Sequence, residues 1–206
     1  MSRKTQSDLV YTALGGAGEI GMNCYLYGQG DERDGRWIMV DCGIGFGDMD
    51  TAPGVELVLP RIDFIRDQAD RLDALFLTHA HEDHVGDIAH LWQAFDAPIY
   101  ARAFTAEVVR RKLDEAGLDT SIVREVEVGE RIRAGDMEVE FLPITHSIPE
   151  ASMLAIRTPR GTVVHTGDFK LDPDPTLGDP YDLTRLEQLG REGVLALACD
   201  STNVFM

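Results

Sequence analysis

Short apolar runs broken by turn residues dominate the first third of the chain. Leu9–Leu14 is rich in β-formers and stops at Gly15-Gly16. Met22–Tyr27 and Trp37–Val40 are two more such runs, separated by the turn-rich segment 28–35, and all three predict strands. Pro60 predicts the start of a short helix reaching Ala69, and Leu72–Thr78 reads as a buried strand that runs straight into a group of histidines. Beyond them, 86–94 has helical character and Pro98–Ala101 is a short strand. Ala103–Ala116 is an amphipathic helix with Phe104, Val108 and Leu113 on its apolar side and Gly117 at its end. Strands are predicted again at Ser121–Val128, Met137–Leu142, Met153–Thr158, Thr162–Thr166 and Val194–Cys199, with a helix around Asp182–Leu189 before the last. Two strand-rich blocks therefore flank a helical middle. This α/β order lacks the regular βαβ alternation of a doubly wound sheet and predicts mixed sheets with helices packed outside.

The 206 residues suit one domain, 1–206, and a hydrophobic share of 44% with 27% charged residues supports a buried core. A net charge of −17 argues against gripping nucleic acid or anionic lipid through bulk positive field. No run approaches the roughly 18 apolar residues of a membrane span, and the start, Met1–Asp8, lacks the apolar core of a signal peptide. Cys24, Cys42 and Cys199 are too few and too scattered for a disulfide framework. These features predict a reduced, cytoplasmic protein with no membrane partner.

Four of the six histidines fall in two places. Residues 79–84 read His79-Ala-His81-Glu-Asp83-His84, directly after an apolar strand, and His146 follows another. Asp168 follows a third, in His165-Thr-Gly-Asp168. Strand ends gather distant positions at one edge. Imidazole nitrogen and carboxylate oxygen are zinc's usual ligands besides thiolate. His79 and His81, two apart in an extended segment, project to one side, and a following turn lets Asp83 and His84 face a second ion. Four ligand types in six residues exceed what one tetrahedral ion needs from one segment, so a two-metal site is the simpler reading, with Asp168 able to bridge and His146 able to complete the first position. Two such ions lower the pKa of water from about 15.7 to roughly 7 and clamp a phosphoryl or carbonyl oxygen.

The pattern His79-x-His81-x-Asp83-His84, with Asp41, His146 and Asp168, resembles the metallo-β-lactamase superfamily. Gly15-Gly-Ala-Gly-Glu-Ile-Gly21-Met-Asn23, the segment Thr78–Ile88, Thr145–Pro149, His165–Lys170 and Cys199–Asn203 extend the resemblance to its β-CASP branch, in particular the bacterial ribonuclease J family. The resemblance implies an αββα sandwich, one zinc on His79, His81 and His146, another on Asp83 and His84, and Asp168 bridging. Mn2+ or Mg2+ are alternatives to Zn2+. It assigns Asp83, His84 and Asp168 to catalysis, makes Asp41 the carboxylate that orients the ligand loop, and implies RNA as substrate, cleaved internally and from the 5′ end. It also implies that the chain is the amino-terminal portion of a longer protein, its sandwich incomplete, with the β-CASP domain and a returning segment absent. Two other functions fit the pattern: hydrolysis of a small ester or thioester by a free-standing enzyme of this fold, and a non-catalytic piece that persists by self-association or with a partner.

Gly16-Ala-Gly18-Glu-Ile-Gly21 fits the dinucleotide-binding spacing, but the residues after it have strand composition where pyrophosphate binding needs a helix N-terminus. A tight loop near the active-site edge is the better expectation. His90, His165 and Cys42 are expected in packing or supporting roles, and Arg110-Arg111-Lys112 as a solvated helix face. Ser147 is either a turn hydroxyl or a phosphate contact.

Overall fold

The computed structural model describes residues 8–30, 34–47, 50, 53–178 and 180–204; the expectation for the first seven residues and the middle of the turn at 28–35 lie outside them. Strands β1 (Asp8–Gly15), β2 (Cys24–Gly30), β3 (Arg36–Val40), β6 (Leu72–Phe76), β7 (Ile99–Ala101) and β8 (Val123–Glu125) form one sheet in the order β1-β2-β3-β6-β7-β8. Its first three strands are antiparallel, and β3, β6, β7 and β8 run parallel. A second sheet has the order β13-β12-β11-β10-β9, built from β9 (Arg131–Ala134), β10 (Met137–Pro143), β11 (Ser152–Thr158), β12 (Gly161–His165) and β13 (Ala196–Ala198). It is antiparallel except for the β12–β13 pair. β4 (Gly45–Phe46) and β5 (Leu57–Val58) make a small separate ladder.

Period-two alternation of side chains explains the layering. Tyr27, Ile38, Val40 and Phe76 face the second sheet and meet Val139, Phe141, Leu154 and Ile156. Their neighbours Leu26, Met39 and Leu75 point the other way, onto Ile65, Val85, Ile88, Trp92, Val109 and Leu113. The outer face of the second sheet packs Ala155 and Val164 against Leu189 of helix α5 (Leu183–Glu192). Helix, sheet, sheet and helix follow one another, which is the expected αββα sandwich.

The helical middle is more broken than the sequence suggests. The helix expected from Pro60 to Ala69 is only α1 (Asp63–Arg66), followed by a 3-10 turn at Ala69–Arg71. The segment 86–94 is divided: α2 (Glu82–Val85) starts earlier, and α3 (Ile88–Leu91) passes into a 3-10 turn. α4 (Ala103–Glu115) has its expected length, but Thr105, Ala106, Val109 and Leu113 form its buried side while Phe104 faces solvent. β2 runs through Gly28 to Gly30, into the expected turn, because Trp37 on β3 covers the glycine. Residues 120–122 are a 3-10 turn rather than the start of a strand. No helix of the described residues is long and apolar enough to cross a membrane.

A candidate metal centre

The edge where β3, β6, β10 and β12 end carries the histidines. Val40, the last residue of β3, is followed by Asp41 in a left-handed backbone conformation (φ 58°), which turns its carboxylate back into the protein. Asp41 is fully buried and accepts three hydrogen bonds. Its Oδ1 takes Thr78 N–H at 2.8 Å, and its Oδ2 takes Thr78 Oγ1–H at 2.9 Å and His84 Nδ1–H at 2.8 Å. Because Thr78 Oγ1 spends its proton on Asp41, it accepts from His79 Nδ1, 3.0 Å away. This network assigns the tautomers of both histidines and leaves their Nε2 atoms for the site.

The turn that carries Asp83 and His84 is fixed through its main chain. Cys42 and Ile44 donate to the carbonyls of His84 and Glu82, and Asn23 N–H to that of Asp83. Gly43 has no room for a Cβ, which would overlap the Asp83 carbonyl. His146 sits in the loop between β10 and β11, where Glu150 (φ 58°) reaches across to accept Phe104 N–H at the start of α4, at 2.6 Å. Gly167, also left-handed (φ 55°), lies where a Cβ would be 2.9 Å from Thr78 Cβ, so the chain passes close enough to bring Asp168 inward.

Two groups of ligand-type atoms result, each with all atoms within 4.8 Å of one another: His79, His81, His146 and Asp168 in one, and Asp83, His84 and Asp168 in the other. His81 Nδ1 lies 3.1 Å from His79 Nε2 and 3.3 Å from His146 Nε2, with the three rings nearly perpendicular. Asp168 spans the groups, with Oδ1 3.2 Å from His84 Nε2 and Oδ2 3.7 Å from His146 Nε2. All six predicted ligand residues therefore come together, and Asp41 lies directly behind them.

Charge follows the geometry. Burial, aided by the neighbouring imidazoles, holds His79 far below the usual histidine range, and burial also lowers His146 against the pull of Asp168. Burial opposes a charged His84, but Asp41 and Asp168 outweigh it and push its pKa up to about 10. Burial likewise opposes ionised Asp168, yet His84 and the other imidazoles keep its carboxyl below the ordinary range. A carboxylate and converging, mostly neutral nitrogens make an electron-rich focus in which nitrogen lone pairs face one another. Only a proton or a cation can sit between such atoms, so the residues fit divalent metal.

Sequence reasoning did not single out Asn23 and Tyr25 as site residues. Asn23 Nδ2 donates to Asp83 Oδ2 (3.3 Å) and lies 3.0 Å from His84 Nε2, while Tyr25 Oη donates to Asn23 Oδ1 (2.7 Å). The glycine loop at 16–21 borders a groove of about 560 Å3 beside Asp83, His84 and Asp168. It leads into β2, the strand composition having indicated as much. Among the described residues, the same groove is lined by Glu19, Asp83, Asp168 and Asp200 and by no lysine or arginine. His165 is buried, bonded to Tyr27 Oη at 2.8 Å, and burial lowers its pKa to about 4. His90 stands apart on α3, Cys42 is buried, and Ser147 is exposed. Arg110, Arg111 and Lys112 each pair with a glutamate.

The metallo-beta-lactamase superfamily model matches residues 17–197. The chain belongs to that superfamily. Among curated superfamily relatives, it is 49% identical over 200 residues to "Ribonuclease J" of Sinorhizobium meliloti, covering 95% of this chain and 35% of that protein. It is 42% identical to "Ribonuclease J" of Mycobacterium tuberculosis over 97% of this chain and 35% of that one. "Ribonuclease J" of Thermus thermophilus is 40% identical over 92% and 34%. The chain thus spans about a third of the length of the curated relatives it matches. Among solved structures, the metallo-beta-lactamase fold protein YhfI of Bacillus subtilis superposes with a TM-score of 0.53 at 24% identity, over 77% of this chain and 61% of that one. A protein of unknown function from Enterococcus faecalis gives 0.55 at 23% identity, over 79% and 44%. These two likenesses bear on the fold alone.

Proposed function

We propose that this chain carries the metal centre of a hydrolase that cleaves phosphodiester bonds in RNA. The observation that carries the reading is the pair of ligand groups that share Asp168. His79, His81 and His146 would hold one divalent ion, Asp83 and His84 a second, and Asp168 both; zinc suits this nitrogen-rich set best. Bound there, the ions supply Lewis acidity, lowering the pKa of a water to about 7 and drawing charge from a phosphoryl oxygen. The protein's own part is positional. Asp41 holds His84 through its Nδ1–H, Thr78 does the same for His79, and Asp168 supplies the negative charge between the two groups.

The groove supports the substrate class in an indirect way. Among the described residues its four carboxylates outnumber the charged imidazole of His84, so cations at the ligand groups would favour the entry of a polyanion. The ribonuclease J relatives, at 40–49% identity across nearly the whole chain, favour RNA over a small ester or thioester. A reduced, cytoplasmic setting and residues 1–206 as the amino-terminal portion of a metallo-β-lactamase domain belong to the same reading.

Elemental analysis of protein purified without added metal or chelator, with His79→Ala and Asp168→Ala alongside, tests it. About two ions per chain, lost in the variants, together with cleavage of 5′-phosphorylated RNA is the expected result. No bound metal and unchanged folding in both variants would remove the hydrolase reading and leave a non-catalytic piece.

A further inference from the structure

The glycine motif at 15–21 is not absorbed by the two ligand groups, yet its geometry converges on them. A Cβ at Gly16 (φ 81°) would overlap the Tyr25 hydroxyl and lie 2.6 Å from Asn23 Oδ1. Gly21 (φ 90°) and then Met22, a non-glycine residue at φ 53°, turn the chain sharply just before Asn23. Asn23 itself is gripped on both sides by main-chain bonds, its N–H to the Asp83 carbonyl and its carbonyl from Gly43 N–H, each 2.9 Å. The motif thus makes room for one carboxamide and aims it at the pair Asp83 and His84.

The end of that carboxamide lies 3.3 Å from Asp83 Oδ2 and 3.0 Å from His84 Nε2. An ion bound to both atoms at zinc distances, about 2.0–2.2 Å, would sit against the Asn23 side chain. An amide N–H cannot face a cation; an amide oxygen can coordinate one. The two ends of a carboxamide are interchangeable in shape, and the partner behind it accepts either orientation. Tyr25 Oη donates to Oδ1 without an ion, and its lone pairs can accept from Nδ2 when the amide is turned.

We propose that Asn23 is an oxygen ligand of the second divalent ion, with Tyr25 setting the orientation of its carboxamide. This rests on the two-ion reading above. It gives the second position, which has one histidine against three in the first, a neutral fourth donor from within this chain.

Titration calorimetry of the metal-free chain with Zn2+ tests it, comparing wild type with Asn23→Ala, Asn23→Asp and Tyr25→Phe. Asn23→Ala should keep the first binding step and weaken the second by about 10–100-fold, the range for groups that tune a metal site. Asn23→Asp should bind the second ion as tightly as wild type or more so, and Tyr25→Phe should fall between wild type and Asn23→Ala. An unaltered first step reports that each variant is folded; if Asn23→Ala does not fold, the isosteric Asn23→Leu takes its place. A second step unchanged in Asn23→Ala would overturn the assignment alone, as would an Asn23→Asp loss equal to that of Asn23→Ala, which would mean that the N–H is the working group. A wild-type chain that takes up only one ion would overturn the two-ion reading and this assignment together.

Discussion

Replacing Asp41 by asparagine isolates the charge that organises the centre. Asparagine tolerates the left-handed conformation at φ 58° nearly as well as aspartate, so the backbone is kept. The variant has one carbonyl oxygen for three donors: Thr78 N–H, Thr78 Oγ1–H and His84 Nδ1–H. If that oxygen serves Thr78 Oγ1 and His84, the new NH2 faces Thr78 N–H, and a buried donor is left unsatisfied at about 1–3 kcal/mol. The two bonds that remain become neutral ones, each losing about 1 kcal/mol relative to a charged acceptor. Asp41→Asn should therefore destabilise the metal-free chain by about 3–5 kcal/mol. Asp41→Ala should cost more than Asp41→Asn, since it leaves all three donors without an acceptor and alanine resists the left-handed region. Urea denaturation followed by tryptophan fluorescence gives both numbers at constant pH. A loss under about 1 kcal/mol in Asp41→Asn would refute the claim that this carboxylate's charge holds Thr78 and His84 in place.

Three further outcomes are expected. Asp87 is fully buried, its carboxylate oxygens have no hydrogen bond among the described residues, and His90 Nδ1 lies 3.4 Å from one of them. Burial raises its pKa from 3.8 to about 7, so its neutral form suits the fold: its own contribution to stability is fullest below pH 3.8 and is lost as pH rises through about 7. Asp87→Asn should remove that slope and raise the melting temperature at pH 8, read from thermal scans across pH 5–8; an unchanged slope would assign the loss to other groups. Glu140, 3% exposed, accepts from Arg185 at 2.9 and 2.8 Å and pairs with Arg157 at 2.7 Å, joining β10 and β11 to α5. Glu140→Gln should cost about 1–3 kcal/mol in urea denaturation, because the two arginines lose their buried counter-charge but keep Glu192. Gly43→Ala forces a Cβ into the Asp83 carbonyl, so elemental analysis should find the second ion lost or the chain misfolded, whereas Gly190→Ala, with open space at its Cβ, should retain the metal.

Periodicity and residue chemistry made most of the frame legible. Apolar runs rich in β-formers and bounded by turn residues located the long strands, because a strand buried on both faces needs apolar side chains at every position. The helical middle was less legible: at Asp87 the main-chain N–H leaves the helical ladder for the Cys42 carbonyl, which divides the segment into two short helices. Phe104 was misplaced for a related reason. The docking of α4 on β7 and β8 selects Ala106 and Val109 as the inward face, a choice that the helix alone does not make.

For the site, the spacing of His79, His81, Asp83 and His84 declared the chemistry, since few uses other than metal bring four ligand types into six residues. His146, Asp168 and Asp41 were also named from the sequence and its family resemblance; what only the tertiary structure decided is which of their atoms meet, and that Asn23 joins them. Asp41 and His84 are 43 positions apart, Asn23 and Asp83 are 60, and His146 and His81 are 65. Such pairings are made by strand ends meeting at one edge of the sandwich, and no local pattern encodes them. The glycines before Asn23 show the limit most clearly: alone they match a dinucleotide loop, and their use becomes visible only when β2 places Tyr25 and Asn23 against them. Backbone freedom is a property of sequence, but what that freedom makes room for is a property of the fold.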